Sequence, residues 1–79
     1  MIIKILGSGC KRCEKLHKKV TEVVISNKIY AEIIKVDDIK EIAKYGILMT
    51  PGLVINEKLV YSINVPSEKD ILKYIKQNS

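Results

Sequence analysis

Tryptophan and phenylalanine are absent from the 79 residues, and four tyrosines make up the whole aromatic content. So few rings leave little on which nucleic-acid bases stack. Long apolar runs are missing too. None approaches the roughly 18 residues that a membrane span needs, and the opening MIIKIL lacks the charged, apolar and small-residue regions of a secretory signal. The expectation is a soluble, cytoplasmic protein. Only two cysteines occur, three positions apart, whereas a secreted mini-domain stapled by disulfides carries four or more at wider spacings. Glycine and proline are sparse, at four and two residues, so no linker, repeat or low-complexity stretch divides the chain.

What is present is enough for a folded domain. The hydrophobic fraction is 47% and the charged fraction 29%, with the charges interspersed. These are globular proportions, not those of a disordered chain. A chain of this length forms one domain, residues 1–79, and hides only about 60% of the surface it exposes when unfolded. The formal charge of +5 comes from 14 basic and nine acidic residues. The basic residues are spread along the chain, with one denser cluster from Lys11 to Lys19, the pattern of a solvated helix face. Specific nucleic-acid binding is not expected, and neither is membrane binding.

Residues 2–6, IIKIL, form a nearly continuous apolar run of the kind that suits a strand covered on both faces. Gly7-Ser8-Gly9 interrupts it, with no Gly-Lys-Ser/Thr ending that would make a phosphate loop. Cys13, Leu16, Val20 and Val23 or Val24 then recur at intervals of three and four, predicting a helix of about four turns that ends near Ser26-Asn27. Residues 31–36 return to strand. Asp37 or Asp38 can cap a short helix with Ile39, Ile42 and Ala43 facing inward, stopped by Gly46. GLVIN and KLVYSI flank a polar turn at Asn56-Glu57-Lys58 and read as a hairpin without the Asn-Gly that would make it firm. Ser67 caps a last helix with Ile71, Leu72 and Ile75 on its apolar face. The order is β-α-β-α-β-β-α. It implies an α/β fold with a parallel strand pair from the right-handed crossover and an antiparallel pair from the hairpin.

Cys10-Lys11-Arg12-Cys13 begins that first long helix. Unpaired N–H groups and the positive end of the helix dipole favour a thiolate there, so Cys10 is expected to be the reactive thiol, with a pKa of about 7 or lower. Cys13, three positions on, faces the protein and is expected to resolve mixed disulfides. Lys11 and Arg12 add positive charge beside Cys10, which favours the reduced form and a more oxidising couple. A short loop of this kind restricts the unfolded chain little, so the pair is not a structural staple. His17 is four residues from Cys13, and Cys10, Cys13 and His17 offer three of the four ligands of a zinc site. No fourth ligand stands out.

GSGCKRC after the first strand and KYGILMTPGLVIN, residues 44–56, together resemble the thioredoxin superfamily. The short length and the Gly-x-Gly-Cys-x-x-Cys form are most similar to the small thioredoxin-like redox-active disulfide proteins of archaea and bacteria. The resemblance spans the whole chain. It implies a mixed four-stranded sheet of order 2-1-3-4 with helices on both faces, and thiol–disulfide exchange by Cys10 and Cys13 without a cofactor. It further implies a cis bond at Pro51, a Thr50 backbone that pairs with the substrate polypeptide, and Gly9, Lys11 and Arg12 lining the substrate site. Its partners would be protein disulfides and a thioredoxin-reductase-like recycling enzyme, acting on a monomer. Two departures stand out. Lys4 occupies the place of thioredoxin's buried aspartate, which leaves Glu14, Lys4 or water to take the Cys13 proton. The glycine pair of glutaredoxins is missing after Pro51, so no glutathione site is expected. The alternative is a metallochaperone-like module resembling heavy-metal-associated domains, carrying Cu(I) or Zn(II) on the two thiolates. Thr50-Pro51, the short second helix and the C-terminal helix favour redox chemistry.

Overall fold

The computed structural model describes residues 1–7, 10–47, 50–62 and 64–78. Its elements follow the expected order: β1 (Ile2–Leu6), α1 (Lys11–Ser26), β2 (Glu32–Val36), α2 (Ile39–Ala43), β3 (Gly52–Ile55), β4 (Lys58–Ser62) and α3 (Glu68–Gln77). The strands form one sheet of order β2-β1-β3-β4. β1 runs parallel to β2, with Ile3 opposite Ile33, and antiparallel to β3, with Ile5 opposite Leu53. β3 and β4 are antiparallel, with an irregularity between Leu53 and Val54.

Alternation along the central strands sends side chains to two cores. Ile3, Ile5, Leu53 and Ile55 face α1 and α3, where they meet Leu16, Val20, Val23, Val24, Ile71 and Ile75. Leu6 and Val54 face the other way and pack with Ile42 and Ile47. Coverage of both faces is why IIKIL carries no polar residue except Lys4. Each large side chain buried this way contributes about 1.5–3 kcal/mol.

Helix ends are set locally. At the end of α1, Lys28 adopts a left-handed φ of 52°. Its N–H and that of Ile29 bond back to the carbonyls of Ile25 and Val24, closing the helix as glycine more often does. Asp38 caps α2 by accepting from the Lys40 N–H at 2.9 Å, and Gly46, at φ 78°, carries the chain out of it. Ser67 Oγ accepts from the Asp70 N–H and starts α3. The expectation for α2 needs correction. Ile42 is buried, but Ile39 is 81% exposed and Ala43 is also exposed. A helix of five residues offers a single contact row. Here that row is Ile42, continued past Gly46 by Ile47.

The hairpin turn is tighter than expected. Only Asn56 and Glu57 lie between the strands, and Lys58 already belongs to β4. Both turn residues have positive φ, 49° and 69°, the pattern of the two-residue turn that matches strand twist. Asparagine tolerates this and glutamate does so poorly. Asn56 is fixed by bonds to the Ile2 N–H and the Asn78 carbonyl. Glu57 is held by Lys4, at 2.8 Å, and by the Tyr45 hydroxyl, at 3.1 Å.

Candidate active site

β1 ends at Leu6, and the chain leaves it through Gly7, whose N–H donates to the Val36 carbonyl at 2.7 Å. Gly7 has a φ of 104°, a conformation closed to most side chains. A Cβ at Gly7 would sit 2.6 Å from Thr50 Cβ, 2.7 Å from Thr50 Cγ2 and 3.0 Å from Cys13 Sγ. The missing side chain therefore lets three segments meet: the end of β1, the start of α1 and the turn into β3. Read from sequence, Gly7 marks only the interruption of the first strand run. Its contact role depends on a residue 43 positions away that local pattern does not reveal.

Cys10 and Cys13 form a disulfide with a Cα separation of 5.2 Å. Cys10 is the N-cap of α1, and its sulfur accepts from the Cys13 N–H at 3.0 Å, while its carbonyl accepts from the Glu14 N–H. The donor that a cap oxygen would take is thus turned on a sulfur, the arrangement that favours a thiolate once the pair is reduced. The two sulfurs differ in access. Cys13 is 3% exposed, whereas Cys10 is partly open. Of the two cysteines, only Cys10 is open to solvent.

Thr50 meets Gly7 at the same place as Cys13 and is joined to buried Pro51 by a cis peptide bond. Lys11 and Arg12 project into solvent. Gly9 lies outside the described residues. His17 is partly buried, and its pKa is lowered by desolvation and then by the positive charge of Lys35 on β2. A neighbouring cation opposes a metal ion at that imidazole. Among the described residues, no group of three or more His, Cys, Asp or Glu side chains is placed to hold a metal.

Lys4 belongs to a separate cluster on the α2 side of the sheet. Its Nζ lies 2.8 Å from Glu57 Oε1, donates to the Tyr45 hydroxyl at 3.0 Å and sits 5.7 Å from the Tyr45 ring centre. Hydrogen bonds to Glu57 and Tyr45 hold its pKa far above the ordinary lysine value, and the same contacts lower that of Glu57. An ammonium held in this way has no lone pair for the Cys13 proton. Lys4 is removed from the candidates for that role, leaving exposed Glu14 and water. A lysine inside an otherwise apolar strand was the one sequence signal that a partner had to exist.

Residues 1–76 match the family model described as a thioredoxin domain. A thioredoxin of Methanocaldococcus jannaschii is 34% identical over 76 residues, covering 96% of this chain and 87% of that protein. One from Methanothermobacter thermautotrophicus is 33% identical over 75 residues, covering 95% and 97%. Among solved structures, Fasciola hepatica thioredoxin superposes with a TM-score of 0.67 at 20% identity, over 99% of this chain and 80% of that one. The Drosophila melanogaster germline thioredoxin Deadhead gives 0.62 at 13% identity, with the same coverage. At such identities the two structures speak for the fold.

Proposed function

We propose that this chain, which belongs to the thioredoxin family and is a thiol–disulfide oxidoreductase, attacks disulfides with Cys10 and resolves the product with Cys13. The observation that carries this division is the contrast in access, with Cys13 3% exposed and Cys10 both partly open and capped by the Cys13 N–H. In the reduced protein the Cys10 thiolate attacks one sulfur of the partner's disulfide. That bond breaks, the leaving thiolate takes a proton from solvent, and a mixed disulfide remains on Cys10. Cys13 then gives up its proton, attacks the Cys10 sulfur and expels the partner's second thiolate. Two electrons pass from the dithiol to the partner, and the Cys10–Cys13 bond closes. Run backwards, the same steps oxidise a dithiol.

The partners we assign are protein disulfides, with a thioredoxin-reductase-like enzyme returning the pair to the dithiol. Thr50 and Pro51, together with Lys11, Arg12 and Gly9, are assigned to the substrate site. We take residues 1–79 as one thioredoxin-like domain that works as a monomer in the cytoplasm. Among the described residues no helix is long and apolar enough to cross a membrane. The test is to mix reduced protein with a disulfide-bonded protein substrate and follow it by intact-mass spectrometry. Wild type is expected to lose two hydrogens, and Cys13→Ser to accumulate a covalent adduct on Cys10. If Cys13→Ser forms no adduct, or Cys10→Ser forms one equally well on Cys13, the division of labour is wrong.

A further inference from the structure

Resting on the oxidoreductase reading above, we infer that the exposed cations of α1 form a docking stripe that selects disulfides borne by acidic polypeptide segments. From Lys11 to Lys19 the helix carries five cations and a single carboxylate, Glu14. Lys11, Lys15 and Lys18 follow the spacing i, i+4, i+7 and line the face opposite the buried Cys13–Leu16–Val20 side. The row starts beside Cys10 and extends about 10 Å down the helix. Among the described residues no ion pair takes up Lys11, Arg12, Lys15 or Lys18. Lys19 bends across to the Pro66 carbonyl, at 3.4 Å, and so borders the loop leading into α3.

Asp37 and Asp38 follow Val36, whose carbonyl receives the Gly7 N–H, so two exposed carboxylates stand at the same end of the sheet as the cysteines, but exposed Lys35 and Lys40 flank them and cancel their charge. The basic stripe of α1 has no such cancellation. An acidic segment approaching Cys10 is drawn over α1, and a basic segment is repelled from it. The field therefore sets how fast each arrives. Nucleic acid also fits a basic helix, but the stripe begins at the reacting sulfur, and an occupant that reacts there must bring sulfur of its own.

The experiment uses the reduced full chain and three probes: two synthetic peptides with the same internal disulfide, flanked by glutamates or by lysines, and neutral dipyridyl disulfide. At low ionic strength the acidic peptide is expected to be reduced about tenfold faster than the basic one, the low end of what steering supplies. In roughly 0.5 M salt, where charges more than a few ångströms apart are screened, the ratio should fall toward one. In Lys15→Glu/Lys18→Glu the low-salt ratio should drop below about twofold, with each rate referred to that of dipyridyl disulfide. Equal rates for the two peptides, or a preference that survives salt or the double substitution, would overturn the inference. Equal peptide rates together with single-stranded RNA binding that the double substitution abolishes would do so in favour of a nucleic-acid surface. Failure to reduce dipyridyl disulfide at all would instead overturn the oxidoreductase reading, and the inference with it.

Discussion

Replacing Gly7 with alanine tests how the site is assembled. The added methyl would lie 2.6 and 2.7 Å from two carbons of Thr50 and 3.0 Å from the Cys13 sulfur, on a backbone at φ 104°. Holding an alanine at positive φ costs about 1–2 kcal/mol. Forcing a methyl into an occupied space costs about 1–3 kcal/mol more. The smaller entropy of alanine in the unfolded chain offsets at most about 1 kcal/mol. The net loss is therefore roughly 1–5 kcal/mol, against a total on the order of 4–12 kcal/mol for a domain of this length. Urea unfolding of the oxidised protein, followed by circular dichroism, measures it. With a slope of about 1 kcal/mol per molar, the midpoint should fall by about 1 M or more. In a Thr50→Gly background the two closest contacts are gone, and the loss should fall toward the backbone part, about 1–2 kcal/mol, with only the 3.0 Å contact to the Cys13 sulfur left. A shift below about 0.5 M in the single variant, or an equal loss in both backgrounds, would refute the steric account.

Three further outcomes are expected. Ile42→Ala should cost about 2–5 kcal/mol, while Ile39→Ala, at a residue 81% exposed, should stay within about 0.5 kcal/mol; thermal or urea unfolding separates the two. Glu57 has a folded pKa below its ordinary 4.5, so its contribution is present above that value and lost as pH falls through the folded one. Stability curves of wild type and Glu57→Gln should thus differ at pH 6 and converge as pH falls below 4.5 and through the folded value. Lys4 titrates far above the ordinary lysine value, so its side of the pair should hold through neutral pH and fail only in strong alkali. Lys11→Ala/Arg12→Ala should shift the Cys10–Cys13 couple to a more reducing potential, by up to about 30 mV for 1.4 kcal/mol of lost thiolate stabilisation. Equilibration with glutathione buffers reads the potential, and a shift in the oxidising direction would contradict the charge argument.

Much of this molecule can be read from local pattern. The spacing of Cys13, Leu16, Val20 and Val23 marks α1, Ser67 and Asp70 mark the start of α3, and two-sided burial marks β1 as central. These features depend on residues within a few positions of one another. What could not be read depends on contacts between distant segments. Nothing near Glu57 shows that it takes a left-handed conformation, because Lys4 and Tyr45 hold it there. Ile39 and Ile42 look alike in sequence, and only the approach of α2 to Leu6 and Val54 separates them. Lys4 qualified as a proton acceptor until its engagement with Glu57 was visible. Even Cys10 changes character, from a residue in the first helical turn to the cap itself, with its sulfur where a serine or aspartate oxygen usually lies.

Selective alkylation of the fully reduced protein tests the central claim most directly. Brief exposure to limiting iodoacetamide across pH 5–9, with peptide mapping by mass spectrometry, gives the rate at each cysteine separately. The account predicts modification of Cys10 first at every pH, with a midpoint below the free-thiol value of about 8.5. Equal labelling of the two cysteines, or faster labelling of Cys13, would contradict it.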